Sequence, residues 1–283
     1  MDIKWGDRNT LHFLRLCMVY LLNMNSDRIK IIFLMNNYIM KVLAWNILAD
    51  EFVAGEYYPM VTDRELEREK RLLSILSKVK EYNADVMLLQ EVMIMEKKHL
   101  EKFFGDNYYI SPINRMKWLG WEMANPESGN LMMLDKSKFN KIKYEQINEF
   151  GYITCEHKNK KMFVTSVHLD DKSASKRLAQ IKKVVEICDK YDRVIIGGDF
   201  NDKLDKKPKI YQHLIKHGYK MAVNEVTYYI ESNFAGDNIF FRKFRMTDSM
   251  VDNTCGSRSI QNIKCQFDVY GSDHFPVLAK LKI

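Results

Sequence analysis

Several apolar runs of the sequence end in a residue able to bind a metal ion or exchange a proton. These residues carry amide, carboxylate or imidazole groups: Asn46, Glu91, His168, Asp199 with Asn201, and Asp273 with His274. Short apolar runs predict buried strands, and a rigid sheet can present the residues at its strand ends along one edge. An ionised Glu91 at the end of a buried run is costly unless it is paired or bound to a metal. The pattern therefore predicts one polar site.

Each residue taken alone also has an ordinary structural explanation. Glu91 could end its strand at the surface, and a lone histidine such as His168 is more often structural. Asp199 and Asn201 follow Gly197-Gly198, so they lie either on one side of an extended segment or in a turn. Asp273-His274 could be a loop before the last strand. The ordered co-occurrence of the set is what favours a functional site.

The segments that must position these residues alternate between strand and helix patterns. Apolar runs predict the strands Val42–Trp45, Asp85–Leu89, Leu131–Leu134, Phe163–Val167, Val194–Ile196, Ile239–Phe241 and Val277–Leu281. Amphipathic spacing predicts the helices Arg64–Tyr82, with Asp63 as its N-cap, and Ala174–Tyr191. Lys158 to Lys161 indicate a hairpin turn. This order is typical of one layered α/β domain.

The composition is that of a globular protein with a basic surplus. The chain has 283 residues, a formal net charge of +7 and a pI near 8.9. A basic surface suits an anionic substrate, although abundant solvated lysine explains the same charge. The five cysteines are odd in number, widely spaced and without a CxxC pair, which argues against a disulfide framework or zinc knuckle and for a reducing compartment.

The first 39 residues are predicted to be an extension of uncertain structure before a domain at residues 40–283. Two apolar stretches, Leu11–Met24 and Ile29–Met40, are interrupted by charges and are shorter than the about 20 residues of a membrane span. No small-residue cleavage site stands out. Met24, Met35 and Met40 are later candidate start codons, and a helix covering a sheet edge is the alternative. We therefore predict no membrane association.

Six motifs in order resemble one large enzyme family. They are Trp45-Asn46-Ile47-Leu48-Ala49-Asp50, Leu89-Gln90-Glu91-Val92, Ser166-Val167-His168-Leu169-Asp170, Gly197-Gly198-Asp199-Phe200-Asn201, Asp237-Asn238-Ile239-Phe240 and Ser272-Asp273-His274-Phe275-Pro276. The set resembles the endonuclease/exonuclease/phosphatase superfamily, also called DNase I-like, over residues 41–283. The resemblance implies a four-layered α/β sandwich, in which two mixed sheets pack between helices, and metal-dependent phosphodiester hydrolysis.

The resemblance also implies a metal site. Glu91 is similar to the principal Mg²⁺ ligand of the family, supported by Asn46, and Asp273 is similar to the residue near the metal or its water. Mn²⁺ is a possible substitute for Mg²⁺. Mg²⁺ prefers hard oxygen ligands and keeps several waters, which suits a site with one or two protein carboxylates.

The remaining motif residues resemble groups that act on the phosphate. Asp199 is similar to the residue that orients or deprotonates the attacking water, and Asn201 to the one that holds the scissile phosphate. His168 and His274 resemble phosphate-contacting groups that stabilise the transition state. Asp237 resembles the carboxylate that orients His274.

The first motif is similar to the deadenylase, nocturnin and 2′,5′-phosphodiesterase branch. This implies RNA or an oligoadenylate as the substrate. The cysteine usage predicts an intracellular, cytoplasmic enzyme, which could be a viral protein acting in a host cell, and no obligate protein partner is evident from the sequence. The alternatives are a hydrolase of tyrosyl-DNA, cyclic dinucleotides or other small phosphoesters, and a catalytically inactive nucleic-acid-binding protein. Richness in Lys, Asn, Ile and Met is typical of an AT-rich genome, such as that of a large DNA virus or a parasite.

Two segments bear on substrate choice. In Tyr108–Asn130, the aromatic side chains Tyr109, Trp118 and Trp121 could stack on bases, or equally pack a surface loop. The lysines of Lys203–Lys209 could steer a polyanion towards Asp199, or simply form a solvated loop.

Overall fold

The computed structural model of the chain describes residues 38–53, 58–59, 61–115, 127–228, 235–255 and 260–282. Most of the predicted N-terminal extension, residues 1–37, lies outside this described part, as do Trp118 and Trp121. Ile39 and Met40 already belong to the first strand, which is longer than the apolar run that predicts it. Among the described helices, none has the length and apolar character needed to cross a bilayer.

The described strands form two sheets. In chain order they are β1 Ile39–Asn46, β2 Val86–Met93, β3 Tyr108–Ile110, β4 Asn114–Arg115, β5 Ser128–Asp135, β6 Asn140–Ile147, β7 Phe150–His157, β8 Lys160–His168, β9 Arg193–Asp199, β10 Lys220–Met221, β11 Asp237–Arg242, β12 Arg245–Val251 and β13 Val277–Lys282. The first sheet has the order β12-β13-β1-β2-β5-β3, with β4 also paired to β5, and the second has the order β10-β11-β9-β8-β7-β6. Parallel pairs β1–β2 and β8–β9 sit among antiparallel ones, so both sheets are mixed.

The helices flank these sheets. In chain order they are α1 Asp63–Leu66, α2 Arg68–Tyr82, α3 Ile94–Phe104, α4 Ala174–Cys188, α5 Lys209–Lys216 and α6 Ile260–Tyr270. The predicted helix Arg64–Tyr82 is divided at Glu67, which has φ −57° and ψ 126°. The N-cap of α1 is Thr62 and not Asp63 as predicted, because Thr62 and Glu65 form a capping box.

Alternating side chains of each central strand serve two cores. Val42 and Ala44 of β1 pack between the sheets, whereas Leu43 and Trp45 face the other way, towards α2. A third core joins the outer face of the second sheet to α4 and α5. The order helices, sheet, sheet, helices confirms the predicted four-layered α/β sandwich.

Strand direction brings the polar strand ends together. The parallel register pairs Asn46 with Gln90 in the first sheet and His168 with Asp199 in the second. β11 is antiparallel to β9 and begins with Asp237 opposite Asp199. β13 is antiparallel to β1, so its start, shortly after His274, lies at the same edge. The predicted convergence of these residues at one edge therefore follows from the sheet topology.

A β-bulge in β2 redirects Glu91. The pairing of β2 with β5 changes register between Leu89 and Val92, and Glu91 has a φ of 58°. Bulges locally bend a strand and re-aim its side chains, and a non-glycine residue with positive φ is uncommon. The backbone at Glu91 is therefore held in an unusual conformation at the site.

We expect Gly198→Ala to lower the free energy of unfolding by about 1–3 kcal/mol or more, since about 1–3 kcal/mol is the range for strained backbone positions. Gly198 has φ +141°, and an added Cβ would lie 2.0 Å from the Val167 carbonyl oxygen. Gly218→Ala is the matched control, since Gly218 has φ +81° but its added Cβ would lie 3.9 Å from the Arg242 Cδ. Urea unfolding measures both variants, and equal losses would show that the backbone contact at Gly198 is unimportant.

Two sequence expectations about element ends and cysteines need correction. The helix predicted as Ala174–Tyr191 ends at Cys188. Cys255 and Cys265 form a disulfide, with their Cα atoms 5.7 Å apart, so the prediction that argued against disulfides is wrong for this pair. The fold brings the segment after β12 against α6, a proximity that cysteine spacing alone cannot reveal. Cys155 and Cys188 are free and buried.

Candidate active site

Asn46 at the end of β1 holds the Glu91 carboxylate. Its Nδ2 donates to Glu91 Oε1 at 2.7 Å and lies 3.3 Å from Asp199 Oδ2, while its Oδ1 accepts the Leu48 N–H at 3.0 Å. The Ala49 N–H donates to Glu91 Oε2 at 2.9 Å. Asn46 thus turns its amide nitrogen towards the carboxylates, which makes it a support for Glu91; its predicted role as a direct metal ligand stays a prediction.

Glu91 is placed where its charge is costly. Burial raises the pKa of its carboxyl group above the ordinary value, and the nearby Asp273 carboxylate adds to that shift. His168 and the hydrogen bonds from Asn46 and Ala49 oppose the shift. A bound cation would favour the ionised form and remove the cost, so the environment of Glu91 suits a metal ligand.

The second sheet contributes Asp199 and His168. Asp199 Oδ1 accepts the Asn201 N–H at 2.8 Å, and its Oδ2 lies 3.6 Å from His168 Nε2. The same His168 nitrogen is 3.9 Å from Glu91 Oε1, so this imidazole lies between the two carboxylates. Asn201 donates from Nδ2 to the Leu169 carbonyl at 2.9 Å and has a φ of 51°. The second N–H of this Asn201 amide is left for another acceptor.

His274 and Asp237 form a buried pair. His274 Nδ1 lies 2.8 Å from Asp237 Oδ2, and His274 Nε2 lies 4.0 Å from Asp199 Oδ2. Burial disfavours the charged imidazole, but Asp237, Asp273 and Asp199 outweigh it and raise the pKa of His274 well above its ordinary value. Burial raises the pKa of Asp237 to about 6, against the opposing effect of His274. We take the pair to hold one proton, mainly on the imidazole.

Asp273 has one satisfied and one unsatisfied oxygen. Tyr58 Oη donates to Asp273 Oδ2 at 3.1 Å, whereas the buried Oδ1 has no hydrogen-bond partner and lies 3.9 Å from His274 Nε2. A buried carboxylate oxygen without a donor is costly unless a ligand completes it. Glu91 and this Asp273 oxygen are the hard donors that fit Mg²⁺ or Mn²⁺.

A second group of possible ligands is less suitable for a metal. One ligand atom from each of Asp199, Asp237 and His274 lies within 4.8 Å of the others. The hydrogen bond between Asp237 and His274 already uses Oδ2 and Nδ1, however, and a cation would compete with the proton that this pair holds. The group is therefore better suited to holding a proton and an anion than to holding a metal ion.

All predicted site residues belong to one contact network. Each member has a polar atom within 4.0 Å of a polar atom of another member, and the members are Asn46, Glu91, His168, Asp199, Asn201, Asp237, Asp273 and His274. Their individual roles in a reaction stay predictions. Tyr109, one candidate for base stacking, instead packs against the core between the sheets, because β3 is an outer strand paired to β5.

Sequence reasoning missed three side chains at the site. Tyr58 bonds Asp273, the Tyr228 ring lies 4.8 Å from the His274 ring, and Arg71 binds main-chain carbonyls beside the site. Tyr58 and Tyr228 lie in segments without strand or helix periodicity. Arg71 falls among the polar positions of an amphipathic helix, where nothing distinguishes it from a solvated arginine.

The chain is similar to one protein family in sequence and to several solved structures in fold. The profile described as the Endonuclease/Exonuclease/phosphatase family matches residues 43–274. No curated protein matched the sequence significantly. Solved structures with a similar fold include ANGEL2, a 2′,3′-cyclic phosphatase, with a TM-score of 0.65 and 16% identity over 87% of this chain and 95% of that one.

Two further structures have the same architecture. The human Nocturnin catalytic domain has a TM-score of 0.59 and 19% identity, over 86% of this chain and 93% of that one. A humanised D. rerio TDP2 has a TM-score of 0.61 and 15% identity, over 87% of this chain and 99% of that one. Identities this low show a common fold alone.

Proposed function

The chain belongs to the endonuclease/exonuclease/phosphatase family and is a hydrolase of phosphoester bonds. Within this family, we propose that it cleaves RNA or an oligoadenylate with the help of Mg²⁺. The observation that carries the proposal is the position of Asp199. Its Oδ2 faces Asn46 and His168, at the ends of β1 and β8, and His274, in the segment before β13. A carboxylate ringed by donors at one sheet edge suits hydrolysis of an anionic substrate.

Glu91 and Asp273 are the residues that would hold the metal ion. When bound, Mg²⁺ polarises a phosphoryl oxygen and stabilises the charge that develops on it. Mn²⁺ fits the same oxygen donors. Hydrogen bonds from Asn46 and the Ala49 N–H hold the Glu91 carboxylate in place, and a hydrogen bond from Tyr58 holds that of Asp273.

The other side chains would act on water and phosphate. Asp199 orients the attacking water and accepts its proton. His274, protonated and held by Asp237, donates a hydrogen bond from Nε2 to a phosphate oxygen. His168 and the second N–H of the Asn201 amide supply further donors. General acid–base assistance of this kind contributes about 10²–10⁴-fold in rate.

Charge beside the site supports a polyanionic substrate. Exposed lysines follow Asn201 at Lys203, Lys206, Lys207 and Lys209, and Lys176 follows His168 in the chain. Lys206 pairs with Asp205 and Lys176 with Asp170, so part of this charge is already balanced. The remaining positive charge raises the local concentration of a polyanion. This favours an oligonucleotide over a small phosphoester.

A substrate panel tests the proposal. It contains poly(A), 2′,5′-linked oligoadenylate, an RNA ending in a 2′,3′-cyclic phosphate, a cyclic dinucleotide and a 5′-tyrosyl DNA, each with Mg²⁺, Mn²⁺ or EDTA. We expect metal-dependent cleavage of poly(A) or the 2′,5′-linked oligomer. If another panel member is cleaved while poly(A) and the 2′,5′-linked oligoadenylate stay intact, the proposed substrate is wrong.

The alternative of another class is a catalytically inactive nucleic-acid-binding protein. The complete set of site residues, joined in one network, counts against it. Nucleic-acid binding without cleavage of any panel member would establish it. We also propose that the protein acts in the cytoplasm without an obligate protein partner; the Cys255–Cys265 disulfide is the feature that weighs against that location.

We expect Asp237→Asn to move the alkaline limb of the pH–rate profile to lower pH by about one unit or more, since one pKa unit corresponds to 1.36 kcal/mol of interaction. Activity needs protonated His274 and is lost as the pH rises through its pKa, which Asp237 holds high. Asp252→Asn is the control, because Asp252 is a buried carboxylate bonded to Tyr82 and Tyr270 in a separate network. If the alkaline limb moves equally in Asp237→Asn and Asp252→Asn, or moves in neither, Asp237 does not set the pKa of His274.

A further inference from the structure

We propose that two buried arginines, Arg71 and Arg177, are positioning residues, each of which holds the two site loops of one sheet in place. The inference rests on the proposed function, since the loops concerned carry its metal-binding and phosphate-contacting residues. Both side chains are buried, with exposures of 3% for Arg71 and 8% for Arg177. Neither residue is at the end of a strand.

Arg71 joins the loop after β1 to the segment before His274. Its guanidinium donates from Nη2 to the carbonyls of Ile47 and Leu48, and from Nε to the Gly271 carbonyl at 2.9 Å. Nη1 lies 3.5 Å from Asp50 Oδ1. The backbone is equally close, because a Cβ on Gly271 would lie 2.5 Å from the Arg71 carbonyl oxygen. Arg71 therefore fixes two chain segments that are distant in sequence.

The loop after β1, which Arg71 holds, contains a main-chain donor that supports the Glu91 carboxylate. Leu48 has a φ of 57°, an uncommon conformation for a bulky side chain, and it persists only where neighbours enforce it. The next residue, Ala49, donates its N–H to Glu91 Oε2 at 2.9 Å. On the other segment, Ser272 Oγ donates to the Asn46 carbonyl at 2.7 Å. Arg71 thus sets the donors that hold the proposed metal ligand.

Arg177 does the same in the second sheet. From the first turn of α4, its Nη1 donates to the carbonyls of Asp170 at 3.0 Å and Asp171 at 3.3 Å, in the loop that follows His168. Its Nε lies 3.2 Å from Asp202 Oδ2, next to Asn201. Arg177 therefore joins the loops that follow His168 at the end of β8 and Asp199 at the end of β9, and the second of these loops begins with Phe200 and Asn201.

An arginine is specifically suited to this task. Its planar group presents five N–H donors in a fixed fork, whereas lysine presents three donors on one rotating nitrogen. Lysine keeps the charge but cannot reach carbonyls on two segments with the same geometry. Arg71→Lys and Arg177→Lys therefore release the loops without leaving a buried group of opposite charge unpaired.

The two lysine variants should have different effects, because Arg71 supports the metal-binding residues and Arg177 supports the acid–base and phosphate-contacting residues. Arg71→Lys should weaken Mn²⁺ binding, followed by electron paramagnetic resonance of the purified protein, by about 10–100-fold, as loss of an outer-shell contact does. Arg177→Lys should keep Mn²⁺ binding within about twofold and lower kcat on the cleaved substrate by about tenfold or more, since it displaces acid–base and phosphate-contacting groups.

Arg242→Lys is the matched control. Arg242 also binds carbonyls, those of Cys188 at 3.2 Å and Tyr191 at 2.8 Å, and pairs with Asp189, but it lies at the end of β11 opposite the site. It should lose stability in thermal unfolding while keeping both Mn²⁺ affinity and kcat. Arg242 is half-buried, and any general effect of losing an arginine that binds main-chain carbonyls would appear in this variant as well.

The outcomes separate this inference from the proposed function. Unchanged Mn²⁺ affinity in Arg71→Lys, equal loss in Arg71→Lys and Arg177→Lys, or the same losses in Arg242→Lys would overturn the positioning roles. Wild-type protein that binds Mn²⁺ but cleaves no substrate would overturn the proposed function, and the Mn²⁺ result for Arg71 would still decide its role.

Discussion

Replacing Asp199 by asparagine should reduce phosphodiester hydrolysis by about 10²–10⁴-fold, the range for loss of a general base. The amide keeps the shape of the side chain and its bond from the Asn201 N–H, but it cannot take a proton from water. The loss should appear in kcat at saturating substrate, measured together with thermal unfolding. We expect little loss of stability, because the change removes one of several buried carboxylates that lie close together.

The matched control for this variant is Asp205→Asn. Asp205 lies in the same loop region but pairs with Lys206 at the surface. Its replacement should leave kcat unchanged. If Asp199→Asn keeps more than about a tenth of the wild-type rate, less loss than a general base produces, another group activates the water.

Replacing Glu91 by glutamine should remove metal binding and, with it, metal-dependent turnover. The decrease in Mn²⁺ affinity should exceed the about 10–100-fold that outer-shell changes cause, because Glu91 is the proposed ligand itself. The amide is the same size, and its oxygen can still accept one of the two hydrogen bonds that Glu91 receives from Asn46 and Ala49. The fold should therefore survive while the site loses its cation.

In the absence of metal, Glu91→Gln should be more stable than wild type, although it loses metal binding and turnover. The pKa of Glu91 is raised by burial, so folding favours its protonated form, and the ionised form destabilises the fold at pH values above its ordinary pKa. Glu91→Gln should thus unfold at a higher temperature than wild type at neutral pH, and the difference should shrink as the pH falls.

Added Mn²⁺ supplies the complementary comparison. It should stabilise wild type by selective binding to the folded state and leave Glu91→Gln unchanged. Glu156→Gln is the control, since Glu156 on β7 pairs with Lys141 on β6, outside the site network. Stabilisation of the Glu91→Gln protein by Mn²⁺ would place the ion elsewhere.

The convergence of the site could be predicted because it depends on strand ends. Asn46, His168 and Asp199 end their strands, and the direction of a buried strand determines where its last residue lies. Glu91 also follows an apolar run, but β2 continues to Met93, and the bulge that redirects Glu91 leaves no pattern in the sequence. The contact between Asp237 and His274 could be expected from the family resemblance alone, since 36 residues separate them in the sequence. β11 places Asp237 opposite Asp199, and β13 brings His274 to the same edge from the other sheet.

Other features leave no local pattern in the sequence. β6 has mostly exposed or half-buried side chains, so no apolar run predicts it. Arg71 and Arg177 bind main-chain carbonyls, which every residue type possesses, so their acceptors have no recognisable motif. The disulfide and the Tyr58–Asp273 contact likewise depend on tertiary packing between distant segments.

Metal-dependent hydrolysis of a generic phosphodiester, bis(p-nitrophenyl) phosphate, tests the central claim most directly. The measurement compares wild type, Asp199→Asn and Glu91→Gln with Mg²⁺, with Mn²⁺ and with EDTA. The arrangement of Glu91, Asp199 and His274 predicts hydrolysis by wild type that EDTA abolishes and restored metal recovers, and loss of that hydrolysis in both variants. Hydrolysis that survives EDTA, or that persists at the wild-type rate in either variant, would contradict it.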